Sequence, residues 1–200
     1  MHRIFYIMGK SASGKDKLYR NLLSHFSVNE PLLKPLVLYT TRPMRTGEVN
    51  GEDYWFVDRA SFLKMKEAGN VIEERTYDTI HGPWTYFTSS AGIDLTRHSY
   101  LGIGTLESFI KLVDYFGRDR VADLYVEVED GLRLERAVRR ERKEQDPKYL
   151  ELCRRFLSDA QDFSEDNLKK AGIEKRFFNN GAFEECLSEM KRYIELYKEQ

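Results

Sequence analysis

The run Ile4-Phe5-Tyr6-Ile7-Met8-Gly9-Lys10-Ser11-Ala12-Ser13-Gly14-Lys15 joins a short apolar stretch to a glycine-framed loop that ends in Gly-Lys. The spacing G-x-x-x-x-G-K lets successive backbone N–H groups converge on an anion, and a helix beginning there points its positive end at the same place. Leu18, Leu22, Leu23 and Phe26 follow at helical spacing, so the segment reads as strand, loop and helix. A ligand-free glycine turn would carry the same letters, but the flanking strand and helix favour a phosphate cradle. Its residues would be Gly9, Lys10, Ser11, Ala12, Ser13, Gly14, Lys15 and Asp16, with Lys15 as a mobile charge for the outer phosphates. Asp16 stands where such loops usually carry Ser or Thr. As a hard oxygen donor it is a candidate ligand for Mg2+, directly or through water; the simpler role is to complement the helix N-terminus.

The 200 residues suffice for one well-packed domain without staples. With 32 basic and 33 acidic side chains the net charge is −1, so global charge gives no reason to expect nucleic acid or an anionic membrane as partner. No secretory leader and no long apolar run is apparent, which predicts a soluble cytoplasmic protein. His2, His25, His81 and His98 form no metal-binding pair. Cys153 and Cys186 match no metal spacing and are expected on apolar helix faces.

Apolar runs at Ile4 to Met8, Leu36 to Tyr39, Tyr100 to Gly104, Leu124 to Val128 and Arg176 to Phe178 read as strands of a parallel sheet covered on both faces. Leu106, Phe109, Ile110, Val113 and Phe116 form one helical stripe, and Phe183, Leu187, Met190, Ile194 and Tyr197 another. Between Thr40 and about Ala91 the rhythm changes to short aromatic strands near Tyr54 to Val57, Val71 to Glu73 and Trp84 to Phe87, with a helix over Arg59 to Ala68. This predicts a mixed α+β lobe inserted into an α/β domain. The expected division is a core of 1–39, 92–130 and 164–200, the lobe at 40–91, and a helical lid at 131–163.

Residues 131–155 hold nine basic side chains against five acidic ones. Leu134, Ala137 and Val138 give the first helix a narrow apolar seam, and Arg136, Arg139, Arg140 and Lys143 share another face. A solvated charged face and a lid bringing guanidinium groups over a triphosphate both fit that pattern.

The segment Thr40-Thr41-Arg42-Pro43-Met44-Arg45-Thr46-Gly47-Glu48-Val49-Asn50-Gly51-Glu52-Asp53-Tyr54-Trp55-Phe56 strongly resembles the substrate-binding signature of guanylate kinases. The likeness runs from the phosphate loop through this lobe and an arginine-rich lid to the closing strand and helix. It implies the P-loop nucleoside monophosphate kinase fold, ATP as donor with Mg2+, and phosphoryl transfer to GMP or another small nucleotide. Arg42, Arg45, Tyr54 and Tyr86 would clamp the acceptor phosphate, although both tyrosines also suit half-buried strand positions. Glu73 matches the family glutamate that reads guanine, a carboxylate being acceptor-only and suited to the base's N1–H and N2–H donors. Its neighbour Glu74 is free to face solvent. Thr88 resembles the family's hydroxyl contact to the base, although Phe87 replaces the expected glycine beside it. Lys15, Arg42, Arg136, Arg139, Arg140 and Arg155 are the implied catalytic side chains.

Three positions depart from the family pattern. Leu38 replaces a serine that contacts the base, Gly102 or Gly104 stands where an aspartate is usual, and Asp16 ends the phosphate loop. The Gly-Lys-Asp loop also resembles ribose 1,5-bisphosphate phosphokinases, which makes a sugar phosphate the alternative acceptor. A non-catalytic guanylate-kinase-like binding module is the remaining alternative, against which Lys15, Arg42, Arg45 and Glu73 are all retained.

Overall fold

The computed structural model describes residues 1–27, 33–79 and 82–197. His81, one of the four histidines, lies outside them. Strand β1 (Ile4–Met8) has all five side chains buried and leads into helix α1 (Lys15–Ser27). Then come β2 (Leu33–Pro35), β3 (Tyr39–Thr40), β4 (Trp55–Phe56), α2 (Arg59–Glu67), β5 (Val71–Thr79) and β6 (Gly82–Ser89). The chain continues through β7 (Ser99–Gly104), α3 (Leu106–Phe116), β8 (Val121–Glu127), α4 (Asp130–Glu141), α5 (Tyr149–Asp162), α6 (Glu165–Lys170), β9 (Arg176–Phe178) and α7 (Phe183–Leu196).

The core is a five-stranded sheet in the order β2-β7-β1-β8-β9, parallel at every pairing. Alternation along β1 assigns its residues to two layers. Phe5 and Ile7 pack with Leu18, Leu22, Leu187, Met190 and Ile194 of α1 and α7. Ile4, Tyr6 and Met8 face Phe109 and Leu112 of α3 and Leu168 of α6. Both stripes expected for α3 and α7 are therefore core, although Ile110 is exposed and Leu112 takes its inner place.

The strand expected over Leu36 to Tyr39 is instead a handover between two sheets. Leu36 N–H donates to Leu101 O at 2.8 Å, the last bond to the parallel sheet. Two residues on, Leu38 O accepts from Trp55 N–H at 2.8 Å, and Tyr39 has joined the second sheet, ordered β4-β3-β6-β5. Pro35 suits the exit, because proline cannot donate to a ladder and sits on the edge strand. In the second sheet β5 and β6 are longer than their apolar letters suggest. The antiparallel register runs from Val71 opposite Ser89 to Thr79 opposite Gly82, with an irregularity between Val71 and Glu73. The aromatic Phe87 is fully buried, stacked on Tyr39 at 5.1 Å and against Phe62 at 4.9 Å. It forms the centre of this lobe's core, which is why a glycine there would not serve.

Two further expectations are corrected. Cys186 is buried, and burial pushes its thiol up to about 11, but Cys153 is exposed. The buried stripe of α4 is Arg133, Ala137 and Glu141 at i, i+4 and i+8, not Leu134, which is exposed.

The glycines of β7 answer to Tyr6 on the adjacent strand. A Cβ on Gly102 would lie 2.6 Å from Tyr6 Cδ2 and 2.9 Å from Leu36 Cδ2, and one on Gly104 would collide with the Tyr6 hydroxyl. The ring thus occupies the space that side chains on β7 would need, and burial pushes its phenol pKa up. Gly102→Ala is expected to cost about 1–3 kcal/mol through overpacking, seen as a lower midpoint in thermal unfolding. Gly104→Ala should cost less in a Tyr6→Phe background than in the wild type, and a double-mutant cycle measures the difference.

Candidate active site

The phosphate loop leaves the carboxyl end of β1, the edge at which ligands bind in open parallel sheets. Gly9 has no room for a side chain, since a Cβ there would lie 2.5 Å from Val126 O on β8. Gly14, at φ 88°, lies under Asn179, whose Nδ2 would be 2.6 Å from an added Cβ. That same Nδ2 donates to Ser13 O at 2.8 Å, so the segment after β9 fastens the loop from behind. Ala12 adopts φ 63°, a left-handed conformation unusual for a residue with a side chain. The Ser13 hydroxyl is buried without a hydrogen-bond partner. Lys15 and Asp16 open α1; Lys17 and Leu18 N–H donate to Gly14 O at 3.1 Å, and the N–H groups of Lys15 and Asp16 precede any intrahelical acceptor. Lys15 Nζ lies 3.9 Å from Asp16 Oδ2, and the Asp16 side chain is 78% exposed. No cluster of three or more His, Cys, Asp or Glu side chains is present among the described residues, so a cation there would depend on Asp16 together with ligand oxygens.

The helices after β8 meet the loop directly. Asp159 of α5 accepts from Ser11 N–H at 2.8 Å and from Arg133 Nη1 at 3.2 Å. Arg133, only 1% exposed, also lies 3.0 Å from Asp130 Oδ1 and stacks 3.8 Å over the Phe156 ring. Lys10 Nζ reaches the same Asp130 oxygen at 3.3 Å. This paired, desolvated arginine joins both helices to the loop. Its sequence signal, one letter among nine basic ones, is indistinguishable from its neighbours. Of the four arginines expected to serve the migrating phosphoryl group, Arg136 donates to Asn179 O at 3.0 Å, next to the loop. Arg140 and Arg155 line a small pocket with Ser11. Arg139 instead pairs in solvent with Glu135 at 2.6 Å, one helical turn away.

In the second sheet Arg42 is 4% exposed and held by Glu48 in a two-pronged ion pair, with Nη1 to Oε2 at 2.7 Å and Nη2 to Oε1 at 2.5 Å. Glu48 Oε2 also accepts from Arg45 N–H at 2.7 Å. Glu48 therefore orients the chain carrying both acceptor-site arginines. It is a positioning residue that the motif contained but that no charge-matching argument about phosphate singles out. The Arg42 guanidinium lies 5.2 Å from the ring centres of Tyr54 and Phe56, and Tyr54 meets Tyr86 edge-on at 5.6 Å. The Arg45 side chain is exposed.

Glu73 and Thr88 face each other across the β5–β6 ladder, and Thr88 Oγ1 donates to Glu73 Oε1 at 2.9 Å. Glu74 points elsewhere and pairs with Lys66 at 2.7 Å, which assigns the buried carboxylate to Glu73. Leu38, Tyr54, Arg75, Tyr77, Trp84 and Tyr86 line an adjoining cleft of about 390 Å³. Arg75 Nη2 donates to Ser108 Oγ of α3 at 3.3 Å, and Tyr6 hydrogen-bonds the same serine, so the acceptor lobe meets the core sheet beside β1.

The family model for guanylate kinase matches residues 1–89, the phosphate loop together with the Arg42, Glu48, Glu73 and Thr88 lobe. That stretch is similar to guanylate kinases. Over 96 residues the chain is 34% identical to the guanylate kinase of Chromobacterium violaceum, covering 46% of this chain and 44% of that protein. Over 80 residues it is 41% identical to that of Rhodopseudomonas palustris strain HaA2, covering 40% and 34%. The matched stretch thus spans less than half the length of these curated guanylate kinases. Beyond it the likeness is one of fold. The crystal structure of guanylate kinase from Anaplasma phagocytophilum superposes with a TM-score of 0.62 at 20% identity, over 100% of this chain and 87% of that one.

Pairing with Arg42 and the Arg45 amide holds the Glu48 carboxyl down, from 4.5 to about 2. A carboxyl lowered on folding stabilises the native state fully above its ordinary value and loses that contribution as pH falls toward the lowered one. Unfolding midpoints measured between pH 6 and pH 2 should therefore fall more gently for Glu48→Gln than for the wild type.

Proposed function

We propose that this chain transfers the γ-phosphoryl group of ATP to a nucleoside monophosphate, with GMP as the acceptor. The observation that carries the reading is the Glu73 carboxylate, its side chain 8% exposed, bonded to Thr88 and adjoining an aromatic cleft in the lobe that also holds Arg42. An acceptor-only group in that setting calls for a ligand edge with adjacent N–H donors, which guanine has and adenine lacks. A sugar bisphosphate offers hydroxyl donors but no adjacent pair of N–H donors, and its phosphates are repelled by a carboxylate. A non-catalytic binding module has no use for the loop built on Gly9, Gly14 and Lys15.

Residues 1–39, 92–130 and 164–200 would act as the core, 40–91 as the acceptor lobe and 131–163 as a lid. The buried, unpaired Ser13 hydroxyl and the glycines that hold the backbone open fit a phosphate-bearing donor. Lys15 and the amides at the start of α1 would bind its outer phosphates. Asp16, an exposed carboxylate beside that loop, fits Mg2+, which usually takes one or two carboxylates plus substrate phosphates. When bound, the ion neutralises charge on the phosphates. Arg42, held by Glu48, and Arg45 would orient the acceptor phosphate for in-line attack, with Tyr54 and Tyr86 contributing hydroxyls. Phosphoryl transfer asks the protein mainly for positioning and charge neutralisation, for which these groups suffice. Arg136, Arg140 and Arg155 would approach the migrating group from the lid, and closure would exclude water. Arg139, engaged by Glu135 at the surface, would need to leave that pair to join them. The nucleotides are small-molecule partners. No described helix is long and apolar enough to cross a membrane, and a cytoplasmic setting suits a nucleotide kinase.

The test is ADP release measured by a coupled assay with GMP as acceptor, with and without Mg2+. Lys15→Ala should lower kcat by at least about 100-fold, the scale of losing a preorganised transition-state charge contact. Arg45→Ala should raise the KM for GMP about tenfold, one charge-assisted contact, without moving the unfolding midpoint. Absence of GMP-dependent ADP release from the wild type would overturn the assignment.

A further inference from the structure

Arg75 is a cation inside the acceptor cleft, placed two residues along β5 from Glu73. Residues 73, 75 and 77 alternate onto one face of the strand, and Arg75 and Tyr77 line the cleft with Leu38 and Trp84. Arg75 Nε lies 3.4 Å from Glu73 Oε2, yet it is buried without a hydrogen-bond partner. The guanidinium is fixed at its far end by the 3.3 Å bond from Nη2 to Ser108 Oγ, and the side chain is 33% exposed. A guanidinium offers five N–H donors; with Nε buried beside Glu73 and Nη2 donating to Ser108, the remaining Nη hydrogens are the ones open to a ligand.

The other donors lining the cleft are the hydroxyls of Tyr54, Tyr77 and Tyr86 and the indole N–H of Trp84, none of which offers two parallel N–H groups. Leu38 presents only carbon where a hydroxyl would serve. The Thr88 hydroxyl gives its proton to Glu73. A six-oxo purine read by Glu73 at its N1–H and N2–H edge carries O6 and N7 on the neighbouring edge, both acceptors. Arginine pairs with that O6/N7 edge in a two-pronged manner in other settings, and such a pair discriminates strongly between bases. Adenine would meet the same guanidinium with an amino group, donor against donor.

We propose that Arg75 is a specificity-determining residue that donates to the six-oxo edge of the acceptor base, supplying the contact that Leu38 cannot. Glu73 and Arg75 then form one composite reader, in which the carboxylate takes the donors of the purine and the guanidinium takes its acceptors. This inference rests on the GMP-kinase reading above.

The experiment compares kcat/KM by ADP release for three acceptors: GMP, IMP, which keeps the six-oxo group and N1–H and lacks the amino group, and 2-aminopurine riboside 5′-monophosphate, which keeps the amino group and lacks both the six-oxo group and N1–H. In Arg75→Ala the preference for GMP over the 2-aminopurine nucleotide should fall about 10- to 100-fold, the range of one two-pronged base contact. The preference for GMP over IMP should stay within about threefold. Glu73→Gln should instead lower the preference for GMP over IMP, the ratio that Arg75→Ala leaves in place. Arg75→Lys keeps the charge but loses the planar fork; it guards against a misfolded alanine variant and should lower the first ratio at least about threefold. Equal losses for all three acceptors, or an unchanged first ratio in both Arg75 variants, would assign Arg75 only a structural tie to Ser108 and overturn the proposal. Failure of the wild type to use GMP would instead bring down the parent reading, and this one with it.

Discussion

Strand β1 is hydrogen-bonded to parallel neighbours on both sides and covered on both faces, so its register is fixed at every residue. Everything at the site inherits that constraint. The loop after Met8 has to emerge at the carboxyl edge of the sheet, between β7 and β8, where Gly9 passes so close to Val126 O that no side chain fits. Three residues before Gly9, Tyr6 points into the layer of α3 and fills the space beside Gly102 and Gly104. The same buried strand therefore presents a backbone cradle at its end and a phenol within reach of Ser108, and through Ser108 reaches Arg75 of the acceptor lobe. Donor-side and acceptor-side groups are related through a few residues of rigid sheet.

Charge in this chain is organised locally. The net balance is close to zero, yet several site arginines are each committed to a particular carboxylate. Arg42 belongs to Glu48, Arg133 to Asp130 and Asp159, and Arg75 to Glu73. Buried ion pairs of this kind contribute little net stability, because desolvation offsets attraction. What they do is hold guanidinium planes in fixed orientations, as a two-pronged recognition of phosphate or base edge requires. Arg45 is exposed, and Arg139 is paired with Glu135 at the surface.

Those parts of the site that depend on local sequence were legible beforehand. The glycine spacing and its flanking apolar residues specified strand, loop and helix, and the Thr40 to Phe56 segment identified the lobe through its resemblance. Parts that depend on distant packing were not. Arg133 reads as one more cation on a basic helix, and only the arrival of Asp159 and Phe156, more than twenty residues later, turns it inward. Gly102 and Gly104 read as a missing aspartate until Tyr6, almost a hundred residues earlier, is seen to occupy the space. Leu36 to Tyr39 is apolar enough for one strand, but the backbone changes sheets within it, which periodicity cannot register. The β5–β6 ladder extends through Glu, Arg, Thr and Asp because cross-strand partners, not apolar runs, hold a half-exposed hairpin together.

The bond from Ser11 N–H to Asp159 has a mechanical meaning. It joins the innermost turn of the phosphate loop to a helix that is otherwise largely at the surface, and it shares its carboxylate with Arg133. Any swing of α5 that parts the two returns an amide proton to the loop and strips Arg133 of a counter-ion in the same movement. Helix position and the electrostatic potential felt by a bound anion are consequently a single coordinate.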